Sequence, residues 1–396
     1  MYVRDYLLFP SGGRSNYRIP SLVATRDGTL AAFCNDRKDS LLDHAREVAL
    51  VCAIKKPGAE EWSPVRTLAG IPGWSCMIGS AVYDAVTDAV LCSCGCNPMA
   101  RHEFLKLTPE ALEAAEREAQ ARADALGIRK GPFLVESRDG GETWLRRPFD
   151  VEERPFVRPA DGAEVSIGGS CHGSAHGIQL RHGKYAGRLL CPARMAVEQY
   201  DTWEGLRTCS YNNAVYSDDH GQTWKASMPV QPGTGEGTLM ELGDGSILYN
   251  SRAYFSDQKR YLAVSKDGGE TYGDFRTDDF LLEEEALGCN ASLLRVEKED
   301  LPAPARALLP EGADSVTVFV NPRAKIRERL TACISFDSGA SWAKTRLLWE
   351  KACAYSSLDY SAASGRFCLL YERGDTGPYE HGIAVMEFDL QWLLAD

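Results

Sequence analysis

Three arginines in this chain sit near strand signals, and the first of them, flanked by apolar residues and a proline, is a poor candidate for a free surface charge. Arg18 lies between Tyr17 and Ile19-Pro20, Arg252 closes the run Leu248-Tyr249-Asn250-Ser251, and Arg327 follows Asn321-Pro322 in a strand-like segment. A guanidinium taken out of water needs an anion, and its planar fork matches a carboxylate bidentately. Taken singly, each of the three reads as half of a structural salt bridge. Taken together, and brought to one axis by separate structural units, they can ring a single carboxylate. Other chemistry-bearing residues weigh less. Cys92, Cys94 and Cys96 share one strand face, but no second cysteine cluster accompanies them, which favours a close-packed strand over a metal site. His172 and His176 are four apart in a Gly/Ser-rich loop instead of on a helix, a poor setting for a zinc pair. No glycine-rich phosphate loop precedes a helix. The sequence therefore calls for no metal and no cofactor.

Such residues need a scaffold, and the chain advertises one by repetition. The phrase Ser-x-Asp-x-Gly-x-Thr-Trp stands at 137–144 and returns, with small changes, at 217–224, 265–272 and 335–342. Its Asp and Ser side chains can bond nearby backbone amides, and Gly141, Gly221, Gly269 and Gly339 can take the positive φ of a tight turn. The closing aromatic then enters the next strand. Four returns at irregular intervals, separated by strand-like sequence, predict a repeated β unit with variable loops.

Between the repeats, residues 18–34 alternate in the strand manner around the turn at 26–29, 47–54 reads as a buried strand, and 80–96 as two more. One stretch breaks the pattern. Residues 108–126 are rich in Ala, Glu and Arg, with Thr108 as N-cap, Pro109 at the first helical position and Gly127 as the stop. This predicts a helical insertion within about 97–130. A Pro-broken surface insertion is expected at 297–312, and a loop at 161–177. No composition shift marks a linker, so residues 1–396 are expected to form a single domain, an all-β propeller carrying one helical insertion.

The 396 residues can bury a large core, and a net charge of −12 argues against nucleic acid or an anionic membrane as partner. No apolar run reaches the length of a membrane span. The opening MYVRDYLLFP lacks the features of a secretion signal, and the 13 cysteines, an odd number scattered through apolar runs, are expected to be reduced and buried. Both point to a cytoplasmic protein.

The four repeats, Arg18-Ile19-Pro20 and several later segments together resemble the sialidase (exo-α-neuraminidase) family, with its Asp-box (BNR) repeats and six-bladed propeller. The resemblance runs from Tyr17 to about Phe388, apart from the two insertions. It implies that Arg18, Arg252 and Arg327 form the triad that holds the sugar carboxylate. Within Lys351-Ala352-Cys353-Ala354-Tyr355-Ser356 it implies that Tyr355 is the nucleophile, and within Gly235 to Gly245 that Glu236 is its partner. Asp43, in Asp43-His44-Ala45-Arg46-Glu47, falls at the acid/base position; Glu372, in Leu370-Tyr371-Glu372, at the position that orients the first arginine. Arg37 lies near the family's arginine for the sugar's far hydroxyl.

One departure stands out. Where the family often has an Asn-Pro pair near the sugar's 4- and 5-substituents, this chain reads Ser75-Cys76-Met77-Ile78-Gly79-Ser80, which leaves the 5-substituent open. The expectation is a retaining exo-α-sialidase acting on sialylated glycans. The alternatives are a hydrolase of a related ulosonic acid and a non-catalytic carbohydrate-binding propeller.

Overall fold

The structure is a computed structural model that describes residues 1–41, 47–98, 108–158, 162–168, 170–171, 176–197 and 202–395. Its regular structure is mostly β, laid down mainly as antiparallel meanders in which most strands pair with the next in sequence. Ser15–Ala24, Leu30–Lys38, Glu47–Lys55 and Arg66–Ala69 pair in that order. So do Trp74–Asp84, Ala89–Pro98, Gly131–Ser137 and Leu145–Pro148. Leu189–Ala196, Ser210–Ser217 and Trp224–Ala226 form the body of the next sheet. Thr234–Glu241, Ile247–Ala253, Lys259–Ser265 and Gly273–Leu282 form another.

Beyond these, Ser292–Glu297, Ser315–Pro322 and Glu328–Ser335 lead into the 18-residue strand Lys344–Ser361. The first half of that strand pairs with Glu328–Ser335 and the second half with Arg366–Arg373. The final strand, Gly382–Phe388, pairs on its other side with Val3–Pro10 from the start of the chain.

The strands bury apolar side chains on both faces, so the core is divided among the spaces between sheets. One apolar cluster sets Val82 and Leu91 against Leu189, Val215 and Trp224. Another sets Phe9, Leu22 and Val51 against Leu370 and Val385. The repeats sit in the turns at the outer end of four sheets. In the first, Ser137 Oγ accepts from the amide of Gly141 at 2.8 Å, and Asp139 accepts from the amides of Glu142 and Thr143 at 3.0 and 2.9 Å. The other three repeat the serine and aspartate contacts around Asp219, Asp267 and Asp337. Gly141 has φ +89°, and a Cβ there would lie 2.6 Å from Ile54, so the turn is also pressed onto the neighbouring sheet.

The expected helix spans Pro109–Ala125, with the Thr108 hydroxyl accepting from the amide of Ala111. Ala119 and Ala123 pack it onto the cluster that contains Trp74 and Phe133. The insertion after Glu297 holds a 3₁₀ turn and the short helix Ala303–Arg306. Two expectations need correction. Part of the expected 161–177 loop is a strand, Glu164–Ile167, paired with Arg154–Val157. And the thiols are not all free: Cys76 and Cys96 face each other in register on adjacent strands and form a disulfide. Among the described residues, ten other cysteines are buried. Among the described residues, no helix is long and apolar enough to cross a membrane.

Candidate active site

The site is built from irregularities in otherwise regular strands. Pairing slips between Arg18 and Ser21, between Thr234 and Gly237, and between Cys353 and Ser356. Each slip lies on the strand that opens its meander (353 onward, for the shared strand). A bulge bends a strand and re-aims its side chains, and here the re-aimed residues include Arg18, Glu236 and Tyr355. At the first bulge Ile19 adopts φ 62°, a conformation that costs a β-branched residue of order 1–3 kcal/mol. Its amide is held there by Glu372 Oε1 at 2.9 Å. Glu236 is fixed by its glycine neighbours. A Cβ on Gly235 would lie 1.9 Å from the Tyr254 hydroxyl, and one on Gly237 2.3 Å from the Tyr249 ring. These glycines permit close packing and do not loosen a loop.

Tyr355 is the centre of the arrangement. Its hydroxyl lies 2.8 Å from each Glu236 oxygen and accepts from Arg252 at 2.6 Å. Arg252 also pairs directly with Glu236. The guanidinium carbons of Arg18, Arg252 and Arg327 stand 5.3, 5.8 and 5.6 Å from the centre of the Tyr355 ring. The three arginines therefore meet around one phenol, from positions 75 to 309 residues apart in the chain.

Each arginine is anchored from behind. Arg18 donates to both oxygens of the buried Glu372, at 2.8 and 3.1 Å. Arg252 donates through Nε to the Leu287 carbonyl at 2.7 Å. Arg327 donates to Glu284 at 2.6 Å and to the Gly288 carbonyl at 3.2 Å. Glu372 further accepts from the amide of Tyr355 at 3.1 Å, so one carboxylate ties the strand of Arg18 to the strand of Tyr355.

All of these except Glu372 and Gly288 line a cavity of about 1060 Å³, which also takes in Arg37, Arg194, Met77 and Trp203. Among its described lining residues are five arginines and two glutamates, a positive pocket in a molecule of net charge −12. Burial pushes the Tyr355 pKa well above the ordinary tyrosine value. Arg252 opposes the rise, Glu236 adds to it, and Arg327 and Arg18 oppose it. The hydroxyl is thus protonated near neutrality and donates to Glu236.

Residues 106–367 match the family described as BNR repeat-like domain. The chain belongs to that family. Among its relatives, this BNR-repeat protein is 30% identical over 388 residues to a sialidase of Micromonospora viridifaciens, covering 96% of this chain and 52% of that protein. It is 30% identical over 299 residues to human Sialidase-4, covering 73% and 55%. The chain thus spans about half the length of these curated relatives. Among solved structures, the intramolecular trans-sialidase of Ruminococcus gnavus, in complex with oseltamivir carboxylate, superposes with a TM-score of 0.66 at 16% identity over 98% of both chains. That likeness is one of fold.

Within the BNR-repeat protein, the structure brings together six of the eight site residues expected from sequence: Arg18, Arg252, Arg327, Glu236, Tyr355 and Glu372. Arg37 lines the same cavity, fully buried, and donates to the Leu41 carbonyl at 2.8 Å. Asp43 lies outside the described residues. Sequence reasoning missed Glu284, which anchors Arg327, and Tyr379, whose ring lies 3.9 Å from the Arg18 guanidinium carbon. Glu284 stands in a run of three glutamates, Glu283-Glu284-Glu285, that reads as a solvated face. Its neighbour Glu283 is instead fully buried against Arg260. Among the described residues, no three metal-ligating side chains converge.

Proposed function

We propose that this chain is a retaining exo-α-sialidase, a single domain folded as a six-bladed propeller, that removes terminal sialic acids from glycans. Six successive meanders, the last completed by Val3–Pro10, support the propeller. Sialidase relatives at 30% identity support the activity. The observation that carries the mechanism is the Tyr355 hydroxyl on Glu236 beneath three guanidinium groups.

The substrate's anomeric carbon bears a carboxylate. Arg18, Arg252 and Arg327 hold that group, which fixes the ring and offsets its charge. A carboxylate nucleophile would meet the same negative charge, whereas a neutral phenol does not. Tyr355 Oη attacks the anomeric carbon as its proton passes to Glu236, and the glycosidic oxygen leaves with a proton from Asp43. Arg252, already in contact with Oη, stabilises the charge that develops there. In the second step Asp43 takes a proton from water, which attacks the anomeric carbon. The Tyr355 oxygen departs and recovers its proton from Glu236. Two inversions give net retention. No step calls on a cofactor.

A fluorogenic α-sialoside, followed by proton NMR, tests the proposal: the α-anomer should appear first. Binding without turnover would favour a carbohydrate-binding propeller, and first release of the β-anomer would exclude the tyrosyl intermediate.

A further inference from the structure

Two of the contacts that hold Arg18 bear on the plane of its guanidinium. Glu372 grips its edge through two hydrogen bonds. The second contact is on the face, where the Tyr379 ring lies 3.9 Å from the guanidinium carbon. Tyr379 belongs to no strand. It rides on the loop 374–381, between Arg366–Arg373 and Gly382–Phe388, and it lines the same cavity as Tyr355.

This loop is built, although it is largely exposed. The Glu380 carboxylate turns back into it and accepts from the amides of Asp375, Thr376 and Gly377 at 3.2, 3.1 and 3.4 Å. It also accepts from the Thr376 hydroxyl at 3.3 Å. The turn is so tight that a Cβ on Gly374 would lie 1.7 Å from the Gly377 carbonyl oxygen. Lys351 pins the outer side through Asp375 at 2.8 Å. Gly382, at φ +98°, starts the next strand where a Cβ would lie 2.1 Å from the Phe9 carbonyl oxygen. With both ends fixed and the middle tied by one carboxylate, the position of the Tyr379 ring is set.

We propose that Tyr379 is a positioning residue of the site: its ring, held by the Glu380-tied loop, fixes the plane of Arg18 for the carboxylate of the substrate. The proposal rests on the carboxylate-clamp function given above. A cation on an aromatic face is attracted by the ring quadrupole, and more strongly where water is excluded. The ring also covers one face of the guanidinium, so an incoming carboxylate meets it edge-on, in the plane of its remaining N–H groups.

The test uses the full chain, with a fluorogenic α-sialoside for kinetics and the uncleavable 2,3-unsaturated sialic acid for calorimetry. Tyr379→Ala should weaken binding of the unsaturated acid and raise KM about tenfold, the order expected for a desolvated cation–π contact, with a much smaller change in kcat. Tyr379→Phe, which keeps the ring, should restore both constants. Glu380→Ala should shift KM in the same direction but less.

Unchanged binding in Tyr379→Ala would overturn the proposal. So would a Tyr379→Phe variant as impaired as Tyr379→Ala, since that would assign the effect to the hydroxyl. If the unaltered protein neither binds the unsaturated acid nor cleaves the sialoside, the carboxylate clamp itself fails, and the stack fails with it.

Discussion

The two ends of each sheet solve the problem of polar side chains in opposite ways. Ser265, which opens one of the repeated turns, is in register with Ile247 and through it with Glu241. It therefore lies at the strand ends remote from Glu236 and Arg252. At the turn end, Asp267 is satisfied by groups no more than four residues away. At the cavity end, Glu372 is satisfied by Arg18, 354 residues away, and Glu236 by Tyr355, 119 residues away. The first kind of carboxylate is half in water and needs only its own turn. The second is buried: Glu372 meets its counter-charge only once distant parts of the chain have met, and Glu236, paired with Arg252 from the adjacent strand, draws the Tyr355 hydroxyl from afar. Stability and chemistry are thereby separated along the length of the strands.

Changes at the two ends should therefore differ in kind. The largest effect is expected at Tyr355→Phe, which should lower kcat by ~10³-fold or more through loss of the proposed nucleophile and leave the urea midpoint nearly unchanged. A variant that retains most turnover would remove Tyr355 from the reaction. Next comes Glu372→Ala, which leaves Arg18 buried without its carboxylate and should cost about 3–5 kcal/mol of stability along with substrate binding, as read from urea unfolding.

Gly235→Ala should cost about 1–3 kcal/mol by overpacking against Tyr254 and should lower kcat by displacing Glu236. Loss of stability alone would show that the bulge does not position the glutamate. At the other end, Asp219→Ala should cost about 1 kcal/mol while kcat and KM hold. A loss of turnover there would break the separation.

The smallest effect is one of pH. Hydrogen bonds from the Thr143 hydroxyl and amide hold the Asp139 carboxyl down at about 2. Asp219, Asp267 and Asp337 are also lowered: burial works against the shift, and hydrogen bonds within each turn outweigh it. A carboxyl with a depressed folded pKa contributes stability that is fully present above its unfolded pKa near 4 and is lost as pH falls through the folded value. Stability should therefore decline between about pH 4 and pH 2, and Asp139→Asn should flatten that decline in urea midpoints measured across the range. An unchanged slope would show that the turn carboxylates play no part in it.

The same contrast explains what was legible in the chain. The turns announce themselves because Ser137, Asp139, Gly141 and Trp144 interact with one another, and local chemistry leaves a local pattern. The helix at Pro109–Ala125 was legible for the same reason, with cap, proline and stop all in place. Beyond the three arginines, the site was legible only through resemblance to a family. Nothing near Tyr355 in sequence distinguishes it from a core aromatic, and nothing near Glu372 signals that it accepts from Arg18, Ile19 and Tyr355. Glu284 and Tyr379 escaped notice because their partners, Arg327 and Arg18, are distant in sequence. The disulfide is similar: Cys76 and Cys96 meet only because the register of two strands sets them opposite each other, and a count of cysteines carries no register.

Because Val3–Pro10 completes the sheet of Gly382–Phe388, a strand synthesised well ahead of its partner must wait for its place. The ends of that loop are some 380 residues apart in the chain, so this pairing carries the largest closure entropy of any strand pairing among the described residues. Until it forms, Gly382–Phe388 presents an open edge to other chains. A nascent chain stalled before Gly382 has emerged from the ribosome should accordingly hold most of its sheets while leaving residues 3–10 open to protease, and they should become protected once Phe388 has emerged.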